Sequence, residues 1–341
     1  MLPPMRHVAA GPTDPIRFAT FNASLTRDRA GRALSDLSAP GDAQASAVAE
    51  IIQRTRPEVL LINEFDYEPD NALADAFAAN YLGVSQHADV DPIEYRYVYV
   101  APSNTGVPSG HDLNRDGTVG GPHDAFGFGE FPGQYGMAVF SQHPIEYGRI
   151  RTFRHFLWKD MPGALLPVLP ATGQPWFSDA ALDVVRLSSK SHWDLPIRIG
   201  STTVHFLVSH PTPPAFDGPE RVKARRNHDE IRLWADYLTP GASGFLCDDA
   251  GIRGGLAPGE PFVVAGDQNS DPLDGNGLPG SIQQLLEHPL VDATVAPASE
   301  GAAQAAKRQG GVNDRHAGDP RHDTASFAAR GPGNLRVDYV L

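Results

Sequence analysis

The chain has 341 residues, 41% of them hydrophobic, and a formal net charge of -13 at pH 7. That length and apolar content are enough for a sizeable core, and no apolar run approaches the ~18 residues of a membrane span. The excess of acid works against nonspecific nucleic-acid binding, which needs clustered Lys and Arg, and the lone Cys247 excludes an internal disulfide and a cysteine-built zinc site.

Residues 1–15 carry no continuous apolar stretch of the kind found in a signal peptide, so they are expected to be a disordered or trimmed segment. A mature exported protein would read the same way, which leaves localisation open. A single domain is expected over 16–341, with no internal repeat. Its first strand is predicted at 16–21, and Asp42 is placed to cap a helix whose apolar face is Ala45, Val48, Ala49, Ile51 and Ile52, closed by Pro57. Further strands are predicted at 59–62, 96–100, 137–140, 182–187, 204–208 and 262–264, with a last apolar run at 337–341. The clearest later helix is 219–238, which offers Val222, Ile231, Trp234 and Leu238 for packing and is closed by Pro240. Strands dominate and helices are interspersed, so the fold class read from the pattern is a mixed α/β sandwich. The Pro/Gly-rich stretches 101–134 and 161–179 are long loops that either overhang a site or are surface insertions.

Polar side chains recur at the ends of the apolar runs. Asn22 follows the first, Asn63 and Glu64 follow the second, Gly266-Asp267-Gln268-Asn269 follows 262–264, and Asp338 lies inside 337–341. A carboxylate embedded in a strand is costly to desolvate unless a cation or hydrogen bonds meet it. Carboxylates and amides without thiolates select Mg2+ or Mn2+, and the chemistry expected of such a site is phosphoryl or phosphodiester hydrolysis. Solvent-facing strand ends, an Asx turn at Asp267 and an ion pair between Asp338 and Arg336 are the plainer alternatives.

Three further clusters stand out. Lys190 and His192, in Ser189-Lys190-Ser191-His192, would neutralise phosphate charge or lie in solvent at a strand end. Arg225, Arg226 and His228 would contact an anion, or the arginines would pair with Asp229 and Glu230 on a solvent-facing helix. Asp112, Asn114, Asp116 and Thr118 place oxygens at alternate positions before or after Gly117, with Asp124 nearby. That is the first half of a calcium loop, expected as a freestanding structural Ca2+ site or an acidic turn.

The order Asn22, Glu64, a strand ending in His210, then Gly-Asp-Gln-Asn and a late Arg-Val-Asp-Tyr resembles the endonuclease/exonuclease/phosphatase superfamily over residues 16–341. The resemblance implies a four-layer αββα sandwich with an active site at one end of two packed sheets. It implies that Asn22 and Glu64 form the metal side, with Glu64 the direct ligand. Asp267 would orient or activate water, Asn269 and His210 would contact the phosphate, and Asp338 would orient a catalytic histidine. In that superfamily an Asp-His pair follows, whereas this sequence stops at Leu341, so the chain is expected to lack a last strand or to draw the imidazole from His322. Together these readings predict a metal-dependent phosphoesterase. Net charge, the long loops and Trp158, Trp176 and Trp193 favour a small phosphate-ester substrate over duplex nucleic acid, with no obligate protein partner indicated. A nuclease and a catalytically weak metal-binding interaction domain are the rival functions.

Overall fold

The structure, a computed structural model, describes residues 15–341; the expectation for the first fifteen residues lies outside them except for Pro15. Side chains along a strand alternate between its faces, and this period organises the two sheets. The first sheet joins β1 (Phe18–Leu25), β2 (Val59–Phe65), β3 (Tyr97–Val100) and β4 (Met137–Ser141) in the order β1-β2-β4-β3, with β1 and β2 parallel. The second joins β5 (Arg151–Thr152), β6 (His192–Ile199), β7 (Thr202–Ser209), β8 (Phe262–Asp267) and β11 (Asp338–Val340) in the order β11-β8-β7-β6-β5, with β7 and β8 parallel. Between β8 and β11 the strands β9 (Ala325–Ser326) and β10 (Asn334–Leu335) form a separate antiparallel pair.

Val59 and Leu61 face the second sheet and pack with Val139, Leu195, Phe206 and Val208. Their neighbours Leu60 and Ile62 face outward, against α2 (Ala43–Thr55) and α3 (Ala72–Phe77). Leu207 and Val264 are turned to the opposite outer side, under Ile231 and Trp234 of α5 (Val222–Leu238). Short helices α1 (Arg32–Leu37), α4 (Asp179–Leu182), α6 (Gln283–Leu286) and α7 (Glu300–Gln309) fill the connections. Helix, sheet, sheet and helix therefore stack as the four expected layers. Among the described residues no helix is long and apolar enough to cross a membrane.

Asp42 caps α2 as expected, its Oδ1 accepting the Ala45 N–H at 2.8 Å, and the helix ends one residue before Arg56 turns left-handed ahead of Pro57. α5 begins three residues later than 219, where Asp217 accepts the Lys223 and Ala224 amides at 3.1 and 2.8 Å. The strand expected at 182–187 is absent. Ser178 instead caps α4, and only an isolated bridge between Leu157 and Arg186 follows. The real strand lies a few residues on, in β6, where Pro196 argues against a strand in sequence. β5 pairs only with Trp193 and Asp194, so Pro196 stands where that flank has no regular strand to bond.

Candidate active site

The parallel pairs β1/β2 and β7/β8 end on the same side of the molecule, where open α/β sheets bind ligands, and antiparallel β11 starts there with Asp338 in register with Asp267. Side chains from all five strands converge. Asn22 Nδ2 donates to both Glu64 Oε1 (3.1 Å) and Asp267 Oδ2 (3.0 Å), so one amide holds the two carboxylates. Asp267 Oδ1 accepts the Asn269 N–H at 2.9 Å, Asn269 Nδ2 donates to the Pro211 carbonyl at 3.1 Å, and His210 Nε2 lies 3.5 Å from Asp267 Oδ2. The backbone is bent to do this: Glu64 and Asn269 adopt φ of 56° and 50°, uncommon for side chains other than glycine. Gly266 is required by packing, since a Cβ there would stand 2.0 Å from the Ser209 carbonyl oxygen. Asp338 donates its N–H to Thr324 Oγ1 at 3.0 Å, and its buried Oδ1 has no partner among the described residues.

Burial pushes the Asp267 carboxyl up to about 6, against the hydrogen bonds from Asn22 and Asn269. Burial and the charges of Asp267 and Glu64 raise Asp338 well above the carboxylate range. Burial lowers Lys190, which the carboxylates Glu230, Glu64 and Asp267 partly restore. Burial, with the Lys190 charge, lowers His210 well below its usual value, so its imidazole is neutral. Three crowded carboxylates with hard oxygen donors and one ammonium group fit a divalent cation of the Mg2+ type. Among the described residues no three His, Cys, Asp or Glu side chains are gathered as a ready metal cage. A cation held chiefly by Glu64, with amide, phosphate and water oxygens completing its shell, suits Mg2+, which usually takes one or two carboxylates. Asn22 shows its NH2 to the carboxylates, so in this structure it positions Glu64 and Asp267 rather than offering them an oxygen.

Several groups given no site role in the sequence reading support this floor. Asn63 faces the second sheet, its Oδ1 accepting from Thr20 Oγ1 (3.1 Å) and from the Asp267 N–H (3.3 Å); the alternation Val59, Leu61, Asn63 was the available signal. From α5, buried Glu230 accepts the Ser189 and Thr212 amides, both at 2.6 Å, and Asn227 Nδ2 donates to the Thr212 and Gln268 carbonyls, both at 2.9 Å. Tyr135, at φ 55°, lines the cleft near Glu64.

The cleft has a volume of about 1280 Å3 and is lined by Asn22, Glu64, Lys190, His210, Asp267, Asn269 and Asp338 together. Arg226 also reaches its wall, yet its Nε and Nη2 donate to the carbonyls of Leu187, Phe126 and Arg186. The remaining expected contacts are corrected by position. His192 is buried between Ser188 Oγ and the Glu230 carbonyl, and that burial lowers it to about 4. Arg225 bonds the Glu220 carbonyl and His228 lies against Asp229, both away from the cleft lining. Trp193 is core between the sheets, and His322 Nδ1 lies 2.9 Å from the Pro297 carbonyl, outside the cleft. In the expected calcium loop, Asp124 accepts the amides of Leu113, Asn114 and Gly120, Asp112 those of Asp116 and Gly117, and Asp116 that of Thr118 and the side-chain amide of Asn114. These bonds fold the loop into turns of the acidic kind, and the carboxylates keep further lone pairs beyond them. Both long loops do overhang the cleft, which Leu113 and Trp176 line where the two loops meet.

Comparison with solved structures returns matches at low identity. The chain is 16% identical to an endonuclease/exonuclease/phosphatase from Beutenbergia cavernae (TM-score 0.47), covering 95% of this chain and 62% of that one. It is 16% identical to sphingomyelinase C from Streptomyces griseocarneus (0.43; 95% and 82%) and 12% identical to a Staphylococcus aureus beta toxin variant with bound magnesium ions (0.46; 95% and 82%). No curated protein matches. The sequence profile of the Endonuclease/Exonuclease/phosphatase family matches residues 19–341, and the chain belongs to that family, whose members are metal-dependent hydrolases acting on phosphate esters.

Proposed function

We propose that this protein hydrolyses a P–O ester bond of a small phosphate ester, a phosphodiester or phosphomonoester, by in-line attack of water. The reading is carried by the single amide of Asn22 that holds Glu64 and Asp267 side by side at the common end of both sheets. A divalent cation bound by Glu64 would neutralise phosphate charge and the leaving oxygen. Asp267 orients the attacking water and takes its proton, being buried and fixed by Asn22 and Asn269. Neutral His210 and Asn269 hold non-bridging oxygens, and Lys190 supplies positive charge in a water-poor wall where it counts most. Asp338, with an unpartnered buried oxygen, is an acceptor for a protonated group of the protein or the substrate.

The test is hydrolysis of bis-p-nitrophenyl phosphate against p-nitrophenyl phosphate after EDTA treatment and readdition of Mg2+, Mn2+ or Ca2+, with Glu64→Ala as control. Activity that returns with metal in the parent and stays lost in Glu64→Ala is expected, and the faster ester separates diesterase from phosphatase. Turnover indifferent to EDTA, or retained by Glu64→Ala, defeats the proposal.

A further inference from the structure

The polar floor accounts for only part of the cleft wall. A volume of about 1280 Å3 exceeds the roughly 300–1,000 Å3 of ordinary small-ligand sites, far more than a phosphate group needs. Much of the rest is apolar: Leu113, Ala125, Phe128, Trp176, Phe177 and Val185 line the same cavity. Two of these come from separate long loops that are fastened together. Trp176 Nε1 donates to the Leu113 carbonyl at 2.9 Å, and Arg115 Nη1 donates to the Trp176 carbonyl at 2.7 Å with its guanidinium 5.6 Å from the indole centroid. The indole N–H is thus used within the loops, and what Trp176 has left for the cavity is apolar ring. Phe177 packs edge-on against buried Trp158 at 6.2 Å. Phe128 is 48% exposed, and it stands between His123 (5.0 Å) and Tyr135 (6.5 Å). On the same lining Phe216 is 97% exposed.

Charge narrows the occupant. Glu64, Asp217, Glu220, Asp267 and Asp338 line the cleft against Lys190, Lys223 and Arg226, and Arg226 already spends donors on three carbonyls. Outside the metal-side pair Glu64 and Asp267, the lining sets Asp217 and Glu220 beside Lys223 and offers a polyanionic chain no basic track, whereas an apolar group would gain by leaving water. We propose that the apolar wall binds the organic part of the substrate, and that this substrate is a phosphate ester carrying a bulky alkyl or aryl group. The assignment rests on the phosphoesterase reading of the same site.

Two measurements separate the two ideas. In the first, kcat/KM is determined for p-nitrophenyl diesters of phosphate carrying methyl, butyl or octyl groups, each below its aggregation limit, in the presence of Mg2+. The rate constant is expected to climb with chain length, by up to about fourfold per buried methylene. Phe128→Ser and Phe177→Ala are each expected to flatten that climb; Phe128 is the safer probe because its ring is half exposed and makes no hydrogen bonds. In the second, calorimetry follows binding of non-hydrolysable methyl-, butyl- and octylphosphonates to the same protein. Chain-length-dependent affinity without any turnover would defeat the phosphoesterase reading and leave the apolar wall standing. Flat kcat/KM and flat affinity from methyl to octyl, or no binding by any phosphonate, overturns this proposal. So does a gain confined to octyl ester presented in aggregates or vesicles, which would assign the apolar preference to a lipid surface.

Discussion

Asn22 serves two carboxylates with one NH2 group, and each depends on it for position. Partners that orient a metal ligand typically cost 10–100-fold in metal affinity or activity when removed. Asn22→Ala is therefore expected to raise the Mg2+ concentration for half-maximal activation by about 10–100-fold, while the melting temperature changes little. Metal activation identical to the parent would mean that Glu64 and Asp267 hold themselves apart without the amide. A different residue reports on pH. Burial, with the charges of Asp271, Asp274 and Asp319, pushes Asp323 up to about 6, His316 opposing. The folded pKa lies above the unfolded one, so the ionised group weakens the fold. Its stability contribution is intact below the unfolded value and lost as pH rises through about 6. Asp323→Asn should melt at nearly the parent's temperature near pH 4 and increasingly above it from pH 5 to pH 7. A pH-independent difference would show that Asp323 is solvated.

At the scale of elements, α5 holds the site from behind. Glu230 takes backbone amides 41 and 18 residues away in sequence, and Arg226 reaches a carbonyl 100 residues away. This is why the sequence offered only two readings of 225–230, anion contact or a solvent face: the partners of those side chains exist only once the strands are assembled. Glu230→Gln leaves one carbonyl oxygen for two amides, and the unpaired amide should cost on the order of 1–3 kcal/mol of stability. Because Ser189 and Thr212 flank Lys190 and His210, kcat should fall with it, and the loss should reach kcat more than KM. Denaturant melts and steady-state kinetics on one preparation test both, and a variant of parental stability contradicts the buried role. The strands expected at 59–62, 137–140, 204–208 and 262–264 lie where the apolar runs placed them, and the miss came at β6, whose Pro196 stands beyond β5 and meets on that flank only the Glu146 N–H, which its carbonyl accepts at 2.9 Å. Asn22, Glu64, Asp267 and Asp338 were legible as candidates because a polar group set in or at the end of an apolar run has few places to go. Lys190 was legible as charge but not as a wall of the cleft, and His192 was mistaken for a neighbour of substrate because burial does not show in a polar stretch.

The molecule as a whole carries thirteen more negative than positive charges, and its cleft repeats that imbalance locally. Whole-chain charge was readable from composition; its distribution was not, because a basic groove can assemble from residues scattered along an acidic chain. Here the assembled lining has more carboxyl groups than cations, and two of the cations, Lys223 and Arg226, are tied to carbonyls. Binding to duplex DNA releases counterions in proportion to the phosphates neutralised, with a slope of about -0.9 in log K against log salt for each. This protein should show no saturable binding to a labelled duplex at low salt in anisotropy measurements, and any weak residual signal should vary little with salt. A slope of about -4 or steeper would reveal at least four phosphate contacts. It would also move the preferred substrate from a compact ester to a nucleic acid, since no such set of contacts can form without a basic surface outside the cleft.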